Sequence, residues 1–205
     1  MTDEQVRDEV MTFLLAGHET TALALSWALY LLSKNTGAEK KLHEEVDRLQ
    51  TGRLPSVSDL PSLTIVENVI KETMRLYPPA WSVARTAIAS FELEGYRIPA
   101  GANIVMSQWI MHRDPRLFSE PESFDPDRWN TRACQNLPRF AYFPFGGGPR
   151  QCIGASFATT EAILILATIA RRYQLVSVEK APVLPVPGLT LRPKDPIRMH
   201  IEVRF

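Results

Sequence analysis

The spacing of apolar residues along the chain predicts four helices. The first contains an apolar run from Val10 to Leu32, and its uniform hydrophobicity predicts neighbours on nearly every face. The second, over residues 38–49, is charged with one apolar stripe and is therefore predicted to lie on the surface. The third covers residues 63–76 and ends before a proline pair, and the fourth runs from about residue 154 to 172.

Between these helices the pattern predicts short strands and two long loops. Alternating apolar residues predict strands at 82–88, at 91–98 with a turn at Glu94-Gly95, at 103–106, and near the end at 175–178 and 199–205. A short helix is predicted at 108–111, and loops at 51–61 and 113–140. The fold class that follows is mainly α with small β-sheets (α+β).

Composition narrows the class of protein. The 205 residues include 23 Lys and Arg against 23 Asp and Glu, and this balance favours neither nucleic acid nor an anionic membrane as a partner. Two cysteines in no CxxC pair are too few for a disulfide framework and fit a reducing compartment. The acidic residues after Met1 do not resemble a signal peptide, so we expect a cytoplasmic protein.

The first helix is long enough to span a bilayer, but its centre is polar. Glu19 would lie near the membrane midplane at a cost of about 2.5–3.5 kcal/mol. A helix through the middle of a soluble domain is therefore the preferred interpretation.

The strongest chemical signal is the segment FPFGGGPRQCIG, residues 143–154. Its glycines allow positive φ and close approach to a bulky group. Cys152 precedes the fourth helix, where free N–H groups and the helix dipole stabilise a thiolate. Such a thiolate could be a nucleophile, a zinc ligand or an axial haem ligand, although a lone cysteine is often only structural. The spacing lacks a phosphate-loop lysine, the third glycine of a dinucleotide loop and further zinc ligands.

Four motifs in order resemble the cytochrome P-450 superfamily, and the resemblance covers essentially the whole chain. They are F-x-x-G-x-R-x-C-x-G at 145–154, AGHETT at 16–21, ExxR at 72–75, and PESFDPDRW at 121–129, where tryptophan replaces the more usual phenylalanine. The resemblance implies the P-450 fold, of which residues 1–205 would be the C-terminal part of a single haem-thiolate monooxygenase domain, beginning at the oxygen-activation helix.

The resemblance implies haem b (iron protoporphyrin IX) as the cofactor, with the Cys152 thiolate as its axial ligand. Around this ligand, the motif positions Phe145, Gly148 and Gly154 would form the cofactor-binding loop. Arg150 and Arg85 would neutralise the haem propionates. His112 either joins them or is structural, since histidine is commonly half-buried.

Two further sets of roles follow from the resemblance. Glu72, Arg75 and Arg128 would form a buried structural triad, whereas Glu72 and Arg75 read by spacing alone are a surface pair worth about 0.2–0.5 kcal/mol. On the first helix, Ala16 and Gly17 mark a local distortion that accommodates O2, Thr20 hydrogen-bonds the O2, and Glu19 links it to solvent protons. A hydroxyl that merely bonds the i−4 carbonyl is the simpler alternative, and we expect it for Thr21 rather than Thr20.

The function implied is O2-dependent oxidation of an apolar organic substrate, with electrons from a reductase, ferredoxin or flavodoxin. The candidate pocket residues are apolar or small: Phe13, Ala80, Trp81, Ser82, Val83, Leu189 and Thr190. A non-catalytic haem-binding or sensor module and an inactive fragment remain alternatives. Since the family's earlier helices are missing here, the chain alone is expected to fold poorly and to be inactive, and an N-terminal anchor in a longer protein stays open.

Overall fold

The computed structural model describes residues 1–49 and 52–204, and within them helices predominate. The α-helices are α1 (Asp3–Lys34), α2 (Thr36–Val46), α3 (Thr64–Leu76), α4 (Gln108–Met111), α5 (Arg132–Gln135) and α6 (Ala155–Ala170). Three 3-10 helices lie at Val57–Ser62, Pro126–Asn130 and Gly148–Arg150. The mainly α class with small sheets is confirmed.

The strands form four antiparallel pairs within the described ranges. The pairs are β1 (Val83–Thr86) with β4 (Asn103–Met106), β2 (Phe91–Leu93) with β3 (Tyr96–Ile98), β5 (Tyr173–Ser177) with β8 (Met199–Val203), and β6 (Pro185–Pro187) with β7 (Leu191–Pro193). The predicted turn at Glu94-Gly95 is confirmed, since both residues have positive φ, at 49° and 80°. The β6–β7 hairpin was not predicted, because its prolines resemble loop sequence.

The predicted helices are present with shifted ends. The surface helix covers 36–46 rather than 38–49, and α6 is shorter than 154–172. The loop predicted at 51–61 holds the 3-10 helix Val57–Ser62, and the loop at 113–140 holds a 3-10 helix and α5. Thr51 was the first residue of the predicted loop 51–61, and Phe205 was the last residue of the predicted strand 199–205. Both lie outside the described residues.

The main core lies where α1, α2, α3 and α6 meet. Its fully buried members include Ala28 of α1, Leu42 and Val46 of α2, Val66 of α3 and Leu166 of α6. A second cluster around Trp27 and Leu76 packs the other side of α1. Burial of one large apolar side chain stabilises the folded state by about 1.5–3 kcal/mol. Because the second half of α1 contributes to both clusters, it is the central element of the fold.

The first half of α1 has no such cover. Every residue up to His18 is exposed, and among them Val10, Phe13 and Leu15 are 59%, 60% and 69% exposed. The prediction of neighbours on nearly every face therefore holds in this chain only from Thr21 onward. Throughout residues 1–49 and 52–204, no helix combines the length and hydrophobicity that a bilayer span requires.

Candidate functional site

The cysteine loop, residues 143–154, is shaped by its own backbone. Gly146 and Gly148 have φ of 71° and 72°, which only glycine adopts without strain. The Cys152 N–H donates to the Phe145 carbonyl at 3.0 Å and closes the loop. The ring of Phe145 packs against the main core and thereby fastens the loop to it.

Of the two other glycines in the loop, only Gly147 is required by contact. A Cβ on Gly147 would lie 2.3 Å from the Phe140 ring, so no side chain fits there unless the ring moves. A Cβ on Gly154 would meet Cys152 Sγ at 3.9 Å, an ordinary van der Waals contact. The importance of Gly147 was not predicted, because the motif specifies only Gly148 and Gly154.

The loop presents its thiol to the outside. Cys152 is exposed and free, and it lies just before the first turn of α6. Arg150 is exposed two residues earlier, and neither the thiol nor the guanidinium has a hydrogen-bond partner in the described part of the chain. Arg85, on β1, is also exposed, and its guanidinium bonds only the adjacent Ala84 carbonyl, at 2.7 Å, among residues 1–49 and 52–204. Both arginines are thus available for a ligand carboxylate.

The triad is present and buried. Glu72 and Arg75 are 0% exposed and Arg128 is 4% exposed. Arg75 makes a bidentate contact with Glu72 at 2.8 and 2.9 Å, and Arg128 Nε donates to Glu72 Oε1 at 2.8 Å. The spacing-only reading of a surface pair is therefore wrong.

Glu72 has two donors that the motifs did not predict. The indole N–H of Trp129 donates to Glu72 Oε2 at 3.1 Å, and the Asp125 N–H donates to Oε1 at 3.0 Å. Arg75 also donates to the carbonyls of Pro121 at 2.6 Å and Ser123 at 3.0 Å. The tryptophan in place of phenylalanine was the one signal in the sequence, since only tryptophan supplies an N–H.

His112 is buried, which favours the structural alternative over a contact with a propionate. Its ring is 0% exposed, and Nε2 accepts the Phe143 N–H at 2.9 Å. Burial lowers the pKa of His112 to about 3, so the ring stays neutral. Its carbonyl accepts from Arg75 at 2.9 Å, and His112 therefore connects the triad to the cysteine loop.

The centre of α1 corrects the expectation for its two threonines. The helix runs from Asp3 to Lys34 and includes Ala16 and Gly17, and both residues are exposed. Thr20, not Thr21, bonds its i−4 carbonyl, with Oγ1 donating to Ala16 O at 2.8 Å. The Thr21 hydroxyl is instead buried without a partner in the described chain. Sequence alone does not reveal which hydroxyl faces the core.

Glu19 is held by the β6–β7 hairpin, which the sequence did not predict. Its Oε1 accepts from Thr190 Oγ1 at 2.6 Å and from Arg192 Nε at 2.7 Å. These bonds, with the charge of Arg192, lower the pKa of Glu19 and keep it ionised. Within residues 1–49 and 52–204, Oε2 of the same carboxylate makes no hydrogen bond.

The candidate pocket residues fall into two groups. The segment after the proline pair lies beside the hairpin tip, since Trp81 Nε1 donates to Gly188 O at 2.9 Å and Leu191 N–H donates to Pro79 O at 2.9 Å. This brings Ala80, Ser82 and Val83 into the neighbourhood of Leu189 and Thr190. Phe13 lies exposed on the first half of α1.

The metal-binding side chains of this chain fit a cofactor whose own ring supplies most of the ligands of its metal. No group of three or more His, Cys, Asp or Glu side chains in the described residues could hold a metal ion. A single exposed thiol, in a loop without bulky side chains at 146–148, matches an axial ligand of haem. Exposed Ile153 (90%) and Phe157 (73%) add apolar surface near the thiol in sequence.

Known proteins resemble the whole chain. A family model described as Cytochrome P450 matches residues 1–200. Cyclooctatin synthase and cyclooctat-9-en-7-ol 5-monooxygenase, both of Streptomyces melanosporofaciens, are 46% and 45% identical over 100% and 93% of the chain. Human cytochrome P450 4V2 is 40% identical over 100% of it. The chain spans only 44%, 40% and 39% of these three relatives, respectively.

Proposed function

The chain belongs to the cytochrome P450 family, and from that premise we propose that it is the C-terminal, haem-ligating part of an O2-dependent monooxygenase. The observation that carries the proposal is the exposed Cys152 thiol just before α6, in a loop whose Gly146 and Gly148 adopt positive φ. We call the longer protein to which we assign the chain the parent protein. The chain spans less than half the length of the relatives named above. The activity is therefore proposed for the parent protein.

Cys152 would bind the iron of haem b through its thiolate, while Arg150 and Arg85 hold the propionates. When bound, the haem supplies the activation of O2 for insertion of one oxygen atom into the substrate. The loop contributes the Cys152 thiolate as a ligand. The hydrogen bond from the Cys152 backbone N–H to the Phe145 carbonyl would set the direction of this side chain. Phe145, packed on the core, would keep water away from the sulfur side.

Glu19 and Thr20 would deliver protons. Since Glu19 Oε1 is occupied by Thr190 and Arg192, the proton would be held and passed at Oε2. The Thr20 hydroxyl donates to Ala16 O, which leaves its lone pairs able to accept a hydrogen bond. Glu19 would therefore serve as the general acid, and Thr20 would orient the path of the proton.

The substrate would be an apolar organic molecule, and the electrons would come from a reductase, ferredoxin or flavodoxin. A relative named as a monooxygenase of cyclooctat-9-en-7-ol supports oxygen insertion into a largely hydrocarbon skeleton. Leu189, Val83 and Phe13 offer apolar contact surface. The two unpaired cysteines support a reducing, cytoplasmic location.

The ferrous–CO absorption spectrum of the parent protein tests the ligand. Cys152→Ser should abolish the red-shifted Soret band of thiolate ligation, whereas the matched control Cys134→Ser should retain it, because Cys134 belongs to α5 and not to the cysteine loop. Loss of the band in the control alone would refute the assignment. Donor-dependent product formation then separates a monooxygenase from a haem-binding sensor, which would bind CO but make no product.

Experiments on the isolated chain test the assignment of residues 1–205 as one part of a larger haem-thiolate domain. With the apolar first half of α1 exposed, we expect residues 1–205 alone to aggregate or bind haem weakly. Analytical ultracentrifugation with haem titration measures both. A monomer that unfolds cooperatively with stoichiometric thiolate-ligated haem would contradict this expectation and identify a minimal haem-thiolate domain.

A further inference from the structure

Three side chains from distant parts of the sequence meet at the surface, and we call them the hairpin clamp: Glu19, Thr190 and Arg192. All contacts converge on one oxygen, Glu19 Oε1, with Thr190 Oγ1 at 2.6 Å, Arg192 Nε at 2.7 Å and Arg192 Nη2 at 2.6 Å. Thr190 is 8% exposed, whereas the Arg192 side chain is 61% exposed. The clamp therefore combines a buried neutral donor with an exposed charged one.

The same hairpin tip is tied down on its other sides. The buried Trp27 indole donates to Leu191 O at 3.2 Å, and Trp81 Nε1 donates to Gly188 O at 2.9 Å. Leu191 N–H donates to Pro79 O at 2.9 Å. Between these bonded positions, Leu189 is 95% exposed. The tip is thus a fixed turn that presents one apolar side chain outward.

The clamp is the only side-chain link given by the described residues between this tip and the polar centre of α1. Its partners are 171 positions apart in the sequence. A surface ion pair by itself contributes about 0–1 kcal/mol, so stability is a weak reason for such a contact. Its geometry has a more specific consequence, because the Thr190 hydroxyl and the Arg192 guanidinium occupy Oε1, whereas Oε2 makes no hydrogen bond within the described part of the chain.

We infer that Arg192 and Thr190 are positioning residues that orient the Glu19 carboxylate and couple it to the hairpin tip bearing Leu189. The inference rests on the proposed function, in which Glu19 carries protons and Leu189 lines the pocket. It adds that the proton-carrying acid and this wall of the pocket are held in one rigid arrangement. Loss of the clamp should therefore affect the use of reducing equivalents and the mobility of the hairpin together.

The experiment compares Arg192→Ala, Arg192→Lys and Thr190→Val in the haem-loaded parent protein. The matched control is Arg198→Ala, which removes an exposed arginine that pairs with Glu179 at 3.2 Å and makes no hydrogen bond or ion pair with α1 in the described ranges. Two quantities are measured: product formed per electron donor consumed, and amide hydrogen exchange at Gly188 and Leu191. Exchange reports on the hairpin whether or not turnover occurs.

For Arg192→Ala we expect product per donor to fall about tenfold, since small misplacement of a catalytic group has large effects. Hydrogen exchange at the hairpin tip should be faster. Arg192→Lys should restore part of both values, and Thr190→Val should impair both with folding retained, because the two side chains have similar volumes. Arg198→Ala should change neither quantity.

Two results would overturn the inference. One is unchanged hairpin exchange in Arg192→Ala and Thr190→Val, which would show that the clamp does not hold the tip. The other is faster exchange with an unaltered ratio of product to donor, which would show a structural contact without a positioning role. Failure of the proposed function is distinguishable, because the wild-type parent protein would then lack the thiolate spectrum or the product.

Discussion

Two glutamates on helices, Glu72 and Glu19, each face arginines, but their surroundings differ. Glu72 is 0% exposed and accepts five hydrogen bonds, from Arg75 twice, Arg128, Trp129 and the Asp125 N–H. Glu19 is about one third exposed and uses one oxygen. The bonds at Glu72 occupy both oxygens, whereas Glu19 Oε2 remains free among the described residues.

The difference indicates what each carboxylate can do. A buried charge is tolerated only when donors compensate for its desolvation, and a carboxylate whose two oxygens both accept hydrogen bonds has no oxygen left for a further partner. The bonds at Glu19 favour its ionised form, but they leave Oε2 and about one third of the side chain open to solvent, so a proton can bind there without breaking a buried network. Glu72 therefore belongs to the scaffold, and Glu19 is suited to chemistry.

The largest expected effect is at Glu72. Glu72→Ala leaves Arg75 and Arg128 buried without a counter-charge, and it should destabilise the parent protein by about 3–5 kcal/mol. We expect loss of soluble, haem-loaded protein. Yield and urea unfolding measure this, with Glu44→Ala, which removes an exposed pair with Lys40 at 4.0 Å, as the control.

Intermediate variants refine this side of the comparison. Trp129→Phe removes one of the five donors and should cost about 1–3 kcal/mol, as for a hydrogen bond to a charged group. Glu19→Ala should cost less than Glu72→Ala. Normal folding and haem content in Glu72→Ala would show that the buried network is dispensable.

The next effect concerns acid stability beside the Glu72 network. Because burial lowers the pKa of His112 from 6.5 to about 3, the unfolded chain binds the proton more readily between these pH values. Stability therefore falls as pH drops through this window, by about 2 kcal/mol at pH 5 from His112 alone.

Unfolding of wild type and His112→Gln from pH 7 to pH 5 measures this contribution. Glutamine cannot titrate there and retains an acceptor for the Phe143 N–H, so the variant should lose less stability on acidification. Parallel pH dependences would show that His112 is not held neutral by burial.

The smallest effect on stability is expected at Thr20, on the Glu19 side. Its hydroxyl bonds only the carbonyls within its own helix, so Thr20→Ala should change the free energy of unfolding by no more than about 0.5 kcal/mol. Donor consumption should persist while product per donor falls. Ser26→Ala is the matched control, since Ser26 makes the same bond to Ala22 O at 2.7 Å. An unchanged ratio would place the proton path elsewhere.

Local sequence patterns predicted most helices and the cysteine motif. The segments at 103–106 and 108–111 match β4 and α4 residue for residue, because apolar spacing and turn residues act over a few positions. The ends of α2 and α6 were shifted, since capping and tertiary contacts decide where a helix stops. The β6–β7 hairpin was missed because its pairing is supported by Trp81 and Trp27, far away in the sequence.

The sequence by itself indicated the family, because its four motifs depend on residue types at fixed spacings, and through that resemblance it indicated the Cys152 ligand and the triad. The tertiary structure alone decided the contacts of those residues. It assigned Arg192 to Glu19 and Trp129 to Glu72, buried His112, and turned the Thr20 hydroxyl to its own helix. The physical reason is that hydrogen-bond partners and burial depend on which distant segments pack together, and neighbouring residues in the sequence do not specify this.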